Sequence, residues 1–148
     1  LTIAGPEQAA ATGSGTKAPS FSLTATDGAR LTLADLNGKP AVINFWATYC
    51  PPCKTEMPLL QRVSAQYGVR LVLINEGDGG QAARSFLSGI GIHQGALLDS
   101  DLSVGRAYGV SALPVTVFIK GDGTIAGRQI GQLDERVAAA QLSNLTTQ

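Results

Sequence analysis

The chain holds two cysteines, Cys50 and Cys53, and only Pro51 and Pro52 stand between them. Three kinds of chemistry compete for such a pair. A structural disulfide stabilises mainly by closing a loop in the unfolded chain, and so short a loop gains least. A structural zinc site needs four ligands, usually Cys and His. The one histidine, His93, stands forty residues beyond Cys53 in a glycine-flanked segment and reads as an exposed loop residue. The third chemistry is dithiol exchange. A cysteine at a helix start faces unpaired backbone N–H groups and the positive end of the helix dipole, which both stabilise a thiolate. The thiolate is the species that attacks a disulfide. A second cysteine one turn later can reach the first and resolve the mixed disulfide. Pro51 and Pro52 fit the first helical turn, where a missing N–H costs no intrahelical bond, and they stiffen the ring between the sulfurs. The pair reads as a redox switch.

Such a switch needs a strand to deliver it and a helix to receive it. Residues 41–46, AVINFW, are a short apolar run rich in β-formers and predict a buried strand. A helix is expected over 54–67, with Met57, Leu60, Val63, Ser64 and Tyr67 as its inward stripe and Gly68 as its stop. Pro58 inside it is expected to kink it. Before the first buried strand, residues 21–25 alternate apolar and polar, Asp27-Gly28 marks a turn, and 29–33 returns as a hairpin partner. After the helix, 69–75 reads as a second buried strand, 76–80 as a glycine-rich loop and 81–87 as a helix. A strand over 95–98, a helix over 102–108, a hairpin of 115–120 with 124–130, and a helix over 134–145 complete the order. Strands alternating with helices imply an α/β sheet covered on both faces, and the closing hairpin makes that sheet mixed. Residues 1–16 are dominated by Ala, Gly, Ser and Thr without periodicity and read as a flexible leader or tether; residues 17–148 read as one domain.

Composition excludes several functions. Eleven basic and eleven acidic residues cancel in a chain of 148, which leaves no electrostatic footprint for nucleic acid or an anionic membrane. No apolar run approaches the roughly 18 residues of a transmembrane helix. The chain starts at Leu1 rather than Met, so the missing targeting segment is no evidence for the cytoplasm.

The run Asn44-Phe45-Trp46-Ala47-Thr48-Tyr49-Cys50-Pro51-Pro52-Cys53 closely resembles the active-site signature of the thioredoxin superfamily. The element order is similar too, including a β–α insertion after the second core strand and a β-hairpin before the first. The branch it resembles most is the extracytoplasmic TlpA/ResA/CcmG-like proteins, through the Ala18-Pro19-Ser20-Phe21-Ser22-Leu23 opening and Glu56 with Pro58 after the motif. The resemblance implies a thioredoxin-like fold in which Cys50 is the attacking thiol and Cys53 the buried resolving thiol. It implies that Leu113-Pro114 forms a cis-proline loop that offers backbone to a substrate chain. Trp46 is expected beside the cysteines; Trp46, Pro51 and Pro52 join Leu113 and Pro114 as the expected substrate-binding set, with Thr48 and Tyr49 on the rim.

One departure bears on proton transfer. Many thioredoxins place an acid on the strand before the motif, whereas this chain has Asn44, which cannot exchange a proton. The branch often carries an acid in the loop after the next core strand, which makes Glu76 and Asp78 the expected acid–base partners of Cys53. The implied function is thiol–disulfide exchange with protein substrates and a redox-partner protein, without cofactor or metal, by a monomer. The pathway it implies is reduction of cysteines in cytochrome c maturation, and oxidation or isomerisation of secreted disulfides is the alternative. The implied place is extracytoplasmic, periplasmic or on the outer side of the envelope, with membrane anchoring through a removed segment upstream of residue 1. A peroxiredoxin-like peroxidase shares the hairpin but carries Pro-x-x-x-Thr-x-x-Cys, and here Thr48 stands two residues before Cys50 rather than three. A metal-binding domain would need ligands the chain does not space suitably.

Overall fold

A computed structural model describes residues 15–146. Its centre is the AVINFW run, which forms β3 (Ala41–Trp46) with every residue buried. Side chains alternate across a strand. Val42 and Trp46 therefore join one core cluster, and Ala41, Ile43 and Phe45 join the other. The same alternation sends Leu71 and Leu73 of β4 (Arg70–Glu76) to the first face and Val72 and Ile74 to the second.

The five-stranded sheet has the order β5-β4-β3-β6-β7, with β5 at Leu97–Asp99, β6 at Val115–Ile119 and β7 at Ile125–Ile130. The β3–β4 and β4–β5 pairs are parallel, and β6 and β7 return antiparallel, so the sheet is mixed as expected. The first hairpin stands apart as β1 (Ser22–Thr24) and β2 (Arg30–Thr32). Its turn is held by Asp27, whose Oδ1 accepts the Ala29 N–H at 2.9 Å. Leu33–Leu36 then makes one 3-10 turn, started by a Thr32–Asp35 capping box and ended by Asn37, which takes a left-handed φ of 59°.

Among the described residues four helices flank the sheet: α1 (Pro51–Tyr67), α2 (Gly80–Gly89), α3 (Ser103–Ala107) and α4 (Glu135–Thr146). Helix α1 starts three residues earlier than periodicity suggested, because Pro51 and Pro52 take its first turn rather than leading into it. Met57, Leu60, Val63 and Ser64 are buried as expected, joined by Cys53 and Glu56; Tyr67 is only half-buried. The helix continues through Pro58 and ends at Gly68, whose φ of 66° is the left-handed cap that glycine adopts freely. Helices α1 and α4 pack on one face, tied at the surface by Arg62 and Glu135 at 2.7 Å. Both ends of that pair are well exposed, so it adds at most about 1 kcal/mol.

Of the expected leader, residues 1–14 lie outside the described residues. Gly15 and Thr16 already bond to the last hairpin: the Gly15 N–H donates to the Ile125 carbonyl and the Ile125 N–H to the Thr16 carbonyl, both at 2.7 Å. No helix among the described residues is long and apolar enough to cross a membrane.

Candidate active site

Strands β3 and β4 run parallel and end together, so the chain leaving β3 emerges at the edge where α1 begins. Cys50 is the N-cap of α1, with extended backbone (φ −110°, ψ 99°), and Pro51 and Pro52 occupy the next two positions. The Cys53 N–H donates to the Cys50 carbonyl at 3.1 Å, and the Cα atoms of the two cysteines stand 5.4 Å apart, joined by a disulfide. Cys50 keeps 6% of its surface and Cys53 none, which assigns the accessible sulfur to Cys50. A thiolate at that N-cap faces the unpaired amides of the first turn.

Cys50 lies in a groove of about 440 Å³. Pro51, Pro52 and Tyr49 form one side, and Ala112 and Leu113 lie on the other. The Leu113–Pro114 peptide is cis, as the motif implied. Pro114 is itself buried, and its carbonyl accepts the Gly131 N–H at 2.8 Å. The groove wall on that side is therefore built by the residues before it. Leu102 and Tyr49, two of the exposed large apolar side chains, both border the groove, and Leu102 holds a φ of 64° that a branched residue rarely adopts. The wall is thus mostly apolar, with Arg106 and Glu76 as its charged or titratable members.

Trp46 corrects one expectation. It is fully buried and stacked on Phe86, with ring centroids 5.2 Å apart, in the same core cluster as both cysteines. A side chain with no surface cannot touch a partner protein, so Trp46 supports the cysteines from beneath rather than binding substrate.

The two carboxylates expected beside Cys53 part company. Asp78 is an anchor. Its Oδ2 accepts the Thr48 N–H at 2.8 Å and the Asn75 amide at 3.0 Å, and its Oδ1 accepts the Thr48 hydroxyl at 2.9 Å. It thereby pins the segment that leads from β3 into the cysteines. Asp78→Ala would strip acceptors from two part-buried donors of Thr48, so we expect a stability loss of about 1–3 kcal/mol by urea titration and faster alkylation of reduced Cys50. Asp78→Asn, which keeps one acceptor oxygen, is expected to lose less.

Glu76 was expected in a loop and instead closes β4, buried and paired in register with Asp99 of β5. Alternation explains this: Glu76 continues the Val72–Ile74 face, which α3 covers. Burial, then the neighbouring Asp99 carboxyl, pushes its pKa from the usual 4.5 up to about 9. It lines the groove with Cys50, whereas Cys53 does not reach that groove.

Sequence reasoning missed Glu56 as a candidate for proton transfer. It stands three residues after Cys53 on the same buried face of α1 and is 1% exposed. Its Oε1 accepts the Leu133 N–H at 2.7 Å and its Oε2 accepts the Asn44 amide at 3.0 Å. The Asn44 amide also donates to Thr116, its register partner on β6, at 3.1 Å. Burial holds the Glu56 carboxyl above its usual pKa despite those bonds. The available signal was its i, i+3 spacing from Cys53, a charged residue inside an otherwise apolar stripe. His93 is an exposed loop residue, and among the described residues no three His, Cys, Asp or Glu side chains gather to hold a metal ion.

A cis-proline loop facing a helix-capping dithiol, on a mixed sheet with helices on both faces, defines a thioredoxin-like thiol–disulfide oxidoreductase. The chain belongs to the AhpC/TSA family, which matches residues 14–128. It is 37% identical to the thiol-disulfide oxidoreductase ResA of Bacillus subtilis over 124 residues, 82% of this chain and 69% of that one. It is 40% identical to the thiol:disulfide interchange protein DsbE of Pseudomonas aeruginosa over 122 residues, covering 80% and 66% of the two. Among solved structures it is similar to a secreted Mycobacterium tuberculosis disulfide oxidoreductase homologous to DsbE, with a TM-score of 0.76 and 31% identity over 84% of this chain and 96% of that one.

Proposed function

We propose that this protein reduces disulfides in extended segments of partner proteins outside the cytoplasm, in the thiol chemistry of cytochrome c maturation. The observation that carries the exchange reading is the placement of Cys50: an accessible sulfur at a helix N-cap, in an apolar groove bordered by the loop before cis-Pro114. The Cys50 thiolate attacks the substrate disulfide, a mixed disulfide forms, and Cys53 displaces the reduced substrate. A redox partner protein then restores the dithiol by the same exchange in reverse. The substrate set in this reading is Pro51, Pro52, Leu113 and Pro114; the first three line the groove, and Pro114 sets the turn behind it. Glu56 is the proton acceptor for Cys53, since side chains three apart on a helix are neighbours and a carboxyl with a raised pKa exchanges protons nearer neutrality. The likeness to ResA and DsbE supports the reductive direction and the extracytoplasmic location. The chain acts as a monomer, with a tether ahead of Gly15, where the domain's hydrogen bonds begin.

A redox equilibrium with glutathione, followed by Trp46 fluorescence, tests the direction. A reductant is expected at about −220 mV or more negative. A value near about −120 mV, the range of a strong oxidant, would instead support the oxidase alternative. The peroxidase reading gains nothing from the site, because the Thr48 hydroxyl it would need is donated to Asp78.

A further inference from the structure

The parallel register of β4 and β5 sets Glu76 directly opposite Asp99, and both side chains face α3. Asp99 is fully buried and Glu76 keeps 6% of its surface. Both Asp99 oxygens are already taken by α3: its Oδ1 accepts the Val104 N–H at 3.1 Å and its Oδ2 the Gly105 N–H at 2.8 Å. The two carboxyls meet over Gly105, where a Cβ would lie against Glu76 Oε1 and 3.5 Å from Asp99 Oδ2. Two buried carboxyls this close cannot both ionise, so the proton resides on Glu76. Its Oε2 is buried without a partner.

The packing is built for this arrangement. A Cβ on Gly105 would lie 2.9 Å from the Glu76 Cδ and closer still to Oε1, so any larger residue there would evict the carboxyl. Asp99 on β5, Asp101 in the turn that follows and Arg106 on α3 are the charged groups around Glu76; Asp101 disfavours its ionisation and Arg106 favours it. Glu76 and Arg106 both reach the groove that holds Cys50. A protonated carboxyl in the wall of an exchange groove is a proton source at the place where a thiolate departs.

We propose that Glu76 donates the proton to the thiolate released when Cys50 attacks a substrate disulfide, and that Asp99 is the positioning residue that keeps this proton on Glu76. This rests on the exchange reading above. In the step, the Cys50 thiolate forms a bond to one substrate sulfur, the substrate S–S bond breaks, and the electron pair leaves on the second sulfur. The Glu76 O–H proton passes to that sulfur and gives a thiol. The resulting Glu76 carboxylate, repelled by Asp99, recovers a proton from solvent. In the reverse direction Glu76, once deprotonated, accepts the proton of an incoming thiol. A donor near 9 is matched to alkyl thiols, whose pKa is about 8.5.

The test compares two disulfides in single-turnover reactions of the reduced full chain. Oxidised glutathione releases a basic alkyl thiolate that needs a proton; 5,5′-dithiobis(2-nitrobenzoate) releases an aryl thiolate that does not. The expected result is that Glu76→Gln lowers the alkyl-to-aryl rate ratio roughly tenfold at neutral pH. Asp99→Asn is expected to lower the midpoint of the Glu76 δ-carbon NMR titration by more than one pH unit. A merely structural role slows both disulfides alike, so an unchanged ratio in Glu76→Gln would overturn the proposal, as would a Glu76 δ-carbon that titrates in the ordinary carboxylate range. Failure of the parent protein to react with either disulfide would instead overturn the exchange reading.

Discussion

Cys50→Ser is expected to lose disulfide exchange on the order of 10³-fold or more, measured as insulin reduction by the dithiol form, because the step it removes has no substitute in the groove. A serine hydroxyl at the N-cap still meets the unpaired amides of α1 but is not ionised near neutral pH, and it cannot carry the electron pair of a disulfide. Cys53 has no exposed surface and does not line the groove, so it cannot take over the attack. The loss should not be a folding defect. The bridge joins residues three apart, so its absence changes the unfolded chain little. Equal urea midpoints for the parent and variant in their reduced forms would establish that separation.

Glu56 variants are expected to have the next largest effect, on two axes at once. Glu56→Ala leaves the Leu133 N–H without its buried acceptor and the Asn44 amide with Thr116 alone, which should cost about 1–3 kcal/mol in urea unfolding. Glu56→Gln keeps an acceptor for one of them and should cost about 1 kcal/mol. It nonetheless lacks a titratable proton, so the resolving step through Cys53 should slow on the order of 10²-fold while alkylation of Cys50 keeps its rate. The sign of the pH effect follows from the raised carboxyl. A native state that holds a proton more tightly than the unfolded chain loses stability as pH rises from the ordinary carboxylate value through the raised one. Glu76 acts in the same sense between about 4.5 and about 9. The parent should therefore be more stable at mildly acidic than at alkaline pH, and each Glu→Gln variant should flatten part of that slope in thermal unfolding.

The sequence carried the dithiol and its frame clearly, because the signals there are local. The AVINFW run, the Pro-Pro pair and Gly68 each dictate backbone through sterics or burial; β3 has the expected bounds and α1 the expected end, its start lying three residues earlier at Pro51. Glu76 and Asp78 show what was not legible. Both followed an apolar run and preceded glycines, so both read as one solvated loop. Register with β5 extended β4 by one residue past Asn75 and buried Glu76 against Asp99, a pairing some twenty residues away that no local pattern announces. Asp78 turned instead to Thr48, thirty residues back in sequence. Glu56 was visible in the motif yet carried no stated role, because its partners Asn44 and Leu133 meet it only once β3 and the loop before α4 pack on α1. Trp46 is an apolar residue next to the motif whose burial, in the same core cluster as the cysteines, is set by packing against Phe86.

The division of labour between Cys50 and Cys53 is tested most directly by intact mass after mixing Cys53→Ser with a peptide disulfide. The expected result is a one-to-one adduct carried by Cys50 and released by dithiothreitol, with no comparable adduct in Cys50→Ser. Absence of the adduct in Cys53→Ser, or equal adduct formation through Cys53 in Cys50→Ser, would contradict it.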